Sequence, residues 1–130
     1  MMKGTLLLSA TTWKIILMKG SSNAASAKAT ASLLGSLNAS CTGGDYASAV
    51  IENLTNEHIS ASGSGWKWEA SCPVITAITN PIGSVQFAVI YDGGTSAHVL
   101  CYSQLSSAIF TVGVGNTLTI ATTNGIFSLV

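Results

Sequence analysis
Residues 87–103 read FAVIYDGGTSAHVLCYS. An apolar run stops at Asp92-Gly93-Gly94 and resumes at Val99. From Val85 to Tyr91 nearly every side chain is apolar, as in a strand covered on both faces. Val99 to Gln104 reads as the next strand. Asp and Gly tolerate the positive φ that tight reversals require, so the stop is a chain reversal and the two strands pair antiparallel. Thr95 to His98 either lengthen the turn or begin the second strand.

The same pattern extends outward. Trp13, Ile15 and Leu17 alternate with Lys14, Ile16 and Met18, a period of two that marks a strand with one face more apolar. Residues 23–37 are Ala-rich, with Asn23 as a candidate N-cap. They read as a short helix or as a loop with one helical turn near Leu33 and Leu34, because Thr30, the serines and Gly35 weaken a continuous helix. Tyr46 to Leu54 and His58 to Ser62 read as strands. A Gly-Ser loop then leads into Trp66-Lys67-Trp68-Glu69, again alternating. Val74 to Thr79 is β-branched and ends at Asn80-Pro81-Ile82-Gly83, a turn by composition. Gly113 and Gly115 mark a kink or bulge. Leu118 to Thr122 and Ile126 to Leu129 flank Asn124-Gly125, a strong hairpin signal. The sum is an all-β, mainly antiparallel fold of about seven or eight short strands, a sandwich or small barrel, in one domain over residues 1–130.

Composition narrows the function. Only 8% of residues are charged, against about 25% in a typical soluble domain. A surface this poor in charge is covered by Ser, Thr, Asn and Gly or by partner chains, and low charge favours association. The five basic residues are all lysines, scattered at positions 3, 14, 19, 28 and 67. With no Arg and no basic patch, nucleic-acid binding is not expected. The run Leu6-Leu7-Leu8 is too short for a signal core and Lys14 interrupts the next one, so no membrane span or signal peptide is expected.

Catalytic and metal signals are thin. Cys41, Cys72 and Cys101 lack the close ligand pairs of a zinc site. They read as small buried hydrophobes, and one disulfide plus a free thiol also fits. No cofactor or metal is expected. His98 and Asp92 lie six residues apart across the reversal. A serine hydrolase site could be built on them, but no G-x-S-x-G elbow is present, and His98 reads better as a hairpin-end or interface residue. Glu52 and Glu57 read as solvated loop charges rather than paired catalytic acids. Trp66 and Trp68 share one strand face, with Lys67 on the other. Core filling, a subunit interface and a ligand platform all remain open for that pair.

The segments TWKIILM, DYASAVIENLT, VITAITNPIGSVQFAVIYDGG, VLCYSQL, TLTIAT and NGIFSLV, in that order, resemble a family of small structural proteins of tailed bacteriophages, associated with the virion or capsid. Val89, Ile90 and Tyr91 fit the family strand, and Asn124, Gly125, Ile126, Phe127 and Leu129 fit its ending. Two departures stand out: Asp92-Gly93-Gly94 replaces a charged residue followed by Asp-Thr, and residues 20–40 are Ala/Ser-rich where relatives are more acidic. The resemblance implies a β-rich virion component without catalytic residues, made in the host cytoplasm. The expected role is a cement (decoration) protein, a homo-oligomer and specifically a homotrimer, bound to the major capsid protein on the capsid exterior. The interface is expected to use Trp66, Trp68 and His98. The alternative is a tail, neck or fibre component that binds a receptor or glycan.

Overall fold
A computed structural model describes residues 12–27, 30–41, 52–122 and 126–129. Its centre is an antiparallel three-strand path. Strand β1 (Trp13–Lys19) pairs with β6 (Ile82–Asp92), and β6 pairs on its other side with β7 (Val99–Gln104). Strand β2 (Glu52–Asn53) extends the β1 edge, and β8 (Phe110–Val112) pairs with the first half of β6. A second sheet has the order β10-β4-β3, from β3 (Thr55–Ser62), β4 (Gly65–Ser71) and β10 (Phe127–Leu129). A small third pairing joins β5 (Ile75–Thr76) to β9 (Thr117–Leu118). The described residues are thus all-β and antiparallel, as expected, although three of the ten strands have only two residues.

The unbroken apolar run in β6 has a direct cause. Ala88 and Ile90 face one core, with Trp13, Ile15 and Leu17 from β1 and Trp68 and Ala70 from β4. Phe87, Val89 and Tyr91 face a second core, with Ile16 and Met18. Strand β6 is therefore buried on both faces from Phe87 to Tyr91, and both stripes of β1 are buried, not just the more apolar one. Burying each large aliphatic or aromatic side chain contributes about 1.5–3 kcal/mol. One irregularity redirects side chains. The β1–β6 register shifts between Met18 and Lys19. Val85 and Phe87 are two apart, yet Val85 falls in the first core and Phe87 in the second, the face change that a bulge produces.

The second core is closed by residues 23–37. Instead of one continuous helix, this stretch holds a four-residue helix, α1 (Ala24–Ala27), and a 3-10 turn, Leu34–Ser36. Ala24, Leu34 and Leu37 pack onto the sheet. Asn23 does not cap α1 with its side chain. Its Oδ1 accepts from the Asn38 backbone N–H (2.9 Å), and the Asn38 Oδ1 accepts from the Asn23 N–H (2.9 Å). This reciprocal clamp holds the two ends of the segment together.

The turn chemistry matches the reading in some places and corrects it in others. The β6–β7 reversal forms, with Thr95 to His98 lengthening the turn and the Asp92 N–H bonded to the His98 carbonyl (2.9 Å). However, positive φ is carried by Ala97 (45°), not by Gly93 or Gly94. Gly93 serves close approach instead: its N–H donates to the Thr12 carbonyl at 2.8 Å. Between β3 and β4 the two-residue loop places Gly63 at φ 60°, as such hairpins need. Gly115 (φ 81°) lies in the turn from β8 to β9. The expected pairing of Leu118–Thr122 with Ile126–Leu129 does not occur: β9 pairs with β5, and β10 pairs with β4. Residues 123–125, with the Asn124-Gly125 turn, lie outside the described residues, as do 42–51, which hold most of the strand expected from Tyr46 to Leu54.

Candidate functional site
The outer faces of the β3–β4 hairpin carry the most distinctive chemistry. The two-residue loop at Gly63-Ser64 sets the register, so Ser62 faces Gly65, Ser60 faces Lys67 and His58 faces Glu69. One hairpin face is therefore polar. Lys67 Nζ lies 2.8 Å from Glu69 Oε1, and His58 Nε2 lies 3.2 Å from Glu69 Oε2. Ser60 Oγ also donates to Glu69 Oε2. The Lys67 and Ser60 hydrogen bonds hold the Glu69 carboxyl below its ordinary pKa. His58 Nδ1 donates to the Asn56 carbonyl at 2.8 Å, so the ring is oriented by two contacts. Partly exposed networks of this kind contribute little to stability, typically 0–1 kcal/mol per pair.

The opposite face holds both tryptophans, as alternation requires, yet it treats them differently. Trp68 is buried and meets Trp13 edge-on, with ring centroids 5.6 Å apart. That contact joins the two sheets. Trp66, two residues nearer the loop, lies past the edge of the core and is 59% exposed. Ile59, on the outermost strand β3, is 54% exposed. It stands opposite Trp68 and is therefore diagonal to Trp66, within reach of a large ring. Trp68 is thus a core residue that cannot meet a partner, whereas Trp66 can.

The structure brings His98 and Asp92 together. His98 Nδ1 donates to Asp92 Oδ2 at 2.8 Å, and Asp92 Oδ1 accepts from the Gly94 N–H at 3.1 Å. The pair brackets the reversal, and His98 also bridges to Leu33. No serine hydroxyl is hydrogen-bonded to His98 among the described residues. The arrangement braces a turn and leaves half of the His98 side chain open to solvent.

Sequence reasoning missed Glu69 as the centre of the polar face and considered Glu52 and Glu57 instead. The usable signal was the Gly-Ser loop: a two-residue turn at positions 63 and 64 puts His58 opposite Glu69 by counting. Among the described residues no three His, Cys, Asp or Glu side chains group to hold a metal ion, and no helix is long and apolar enough to cross a membrane. Compared with known protein families, curated proteins and solved structures, the chain matches none.

Proposed function
We propose that this chain is a structural subunit of a tailed-phage particle, a cement protein that binds the major capsid protein on the outside of the head as a homotrimer. The observation that carries the reading is Trp66, a mostly exposed indole beside an exposed Ile59 on a sheet face of a chain with only 8% charged residues. Exposed apolar groups that lie together mark interaction sites, and Trp is enriched among the residues that carry most of the binding energy of protein interfaces. The sequence resemblance to phage structural proteins supplies the type of partner. Binding that is selective for the assembled shell stabilises it by mass action. Three-fold closure suits the local axes of a capsid.

The tail or fibre alternative draws on the same residue, since an exposed indole can also stack on a sugar ring. Co-sedimentation separates the two. The recombinant chain is mixed with purified heads lacking it, and bound protein is measured against concentration. The cement reading expects saturable binding that Trp66→Ala weakens by about thirtyfold, the size of a 2 kcal/mol interface anchor. Failure to bind heads, together with binding to glycans or host surface, would replace it with the alternative.

A further inference from the structure
Two of the three thiols, Cys72 and Cys101, line one cavity. Cys101, on β7, stands opposite Ile90, whose other neighbour is Ile15. It therefore points to the face of the five-stranded sheet that meets the three-stranded one. Cys72 lies one residue past β4 and continues the inward parity of Trp68 and Ala70. Both pack against the same core cluster. Both line one cavity of about 190 Å³, walled also by Ile15, Ile90, Ile120 and Ile126. Cys41 belongs to the same cluster but does not line that cavity; its Sγ lies 3.8 Å from the Gly83 carbonyl oxygen.

We propose that Cys72 and Cys101 are an oxidisable pair whose disulfide ties the three-stranded sheet to the five-stranded sheet. Inter-sheet disulfides are an established way to staple sandwiches. Facing sheets lie roughly 10 Å apart, whereas a disulfide wants its Cα atoms within about 4.4–6.8 Å. The cavity between the two cysteines supplies the slack for that approach. Burial raises both thiols, Cys101 to about 11, and the charge of Cys72 adds to the rise at Cys101.

The reaction needs a low-molecular-weight disulfide such as oxidised glutathione. One cysteine thiolate attacks a glutathione sulfur and expels one glutathione thiolate. The other cysteine thiolate then attacks the mixed disulfide and expels the second. Two cysteine thiols lose two electrons and two protons, and one glutathione disulfide becomes two thiols. Because the thiolate is the nucleophile, the rate rises with pH through the alkaline range.

The reduced full-length chain is incubated with oxidised glutathione at mildly alkaline pH, unfolded, alkylated and weighed, and its chymotryptic peptides are mapped. The expected product has lost the mass of two hydrogens, takes one alkyl group instead of three, and yields a peptide pair linked through Cys72 and Cys101. Its melting temperature rises by roughly 10 °C. Cys41→Ser leaves the link intact; Cys72→Ser and Cys101→Ser each abolish it. A product with three alkylated cysteines, a link through Cys41, a stable glutathione adduct, a link between two chains, or a lowered melting temperature overturns the proposal. The mapping on the unsubstituted chain decides it even where a variant fails to fold.

Discussion

Replacing Trp68 by Ala, and separately Trp66 by Ala, tests how the hairpin is placed in the molecule. The two residues share a strand, a face and a chemistry, so sequence alone gives them equal weight. The structure does not. Trp68 is 2% exposed and packs edge-on against Trp13. Truncating a buried Trp to Ala costs about 3–5 kcal/mol, of which roughly 0.5–1.5 kcal/mol is the aromatic pair itself. A domain of this size has a total stability of about 5–15 kcal/mol, so the change removes a large share of it. With a urea slope of about 1.5 kcal/mol/M, a loss of about 4 kcal/mol lowers the unfolding midpoint by about 2.7 M. Trp66→Ala touches a mostly exposed ring and stays within about 0.5 kcal/mol. Urea unfolding followed by circular dichroism reads both without relying on the replaced fluorophore. Equal midpoint shifts for the two variants, or a larger shift for Trp66→Ala, would refute the placement of the three-stranded sheet against Trp13.

Three further outcomes follow from particular contacts. Glu69 is held below its ordinary pKa of 4.5, so its contribution to stability is present above that value and is lost as pH falls through the folded-state value. Urea midpoints of Glu69→Gln should be flatter over that acidic range than those of the parent chain, and an identical acid limb would contradict the network. A Cβ at Gly93 would stand 2.8 Å from the Thr12 carbonyl oxygen, whereas one at Gly83 meets nothing within 4 Å. Gly93→Ala should therefore cost about 1–3 kcal/mol, and Gly83→Ala should be neutral or gain up to about 1 kcal/mol; thermal unfolding showing the reverse order would disprove the close approach of Gly93 to Thr12. The buried Tyr91 hydroxyl has no hydrogen-bond partner among the described residues, and burial pushes its pKa up to about 12. Tyr91→Phe should be neutral or stabilising by up to about 1 kcal/mol, and a clear destabilisation would reveal a partner for the oxygen.

What could be read from the sequence divides along a physical line. Strand periodicity and apolar runs are local, so β1, β4, β6 and β7 were visible, and the burial of β6 on both faces followed from its lack of alternation. Pairing between distant segments is not local. Asn124-Gly125 suggested a hairpin, but Phe127 to Leu129 pair with β4 rather than with the 118–122 segment. Nothing in the local spacing encodes that competition. Asn23 read as a cap because side-chain capping is a local signal; its actual partner, Asn38, is fifteen residues away. The glycines at 93 and 94 were read for conformational freedom, when the need at Gly93 was room beside Thr12. The pairing of His98 with Asp92 was within reach, because both flank one turn. The division of labour between Trp66 and Trp68 was not, because it depends on where the opposing sheet ends.

We have proposed that this low-charge sheet protein is a component of the capsid shell. Quantifying its peptides against those of the major capsid protein in purified particles tests that most directly. A copy number comparable with that of the shell protein is expected; a handful of copies, or none, would overturn the proposal.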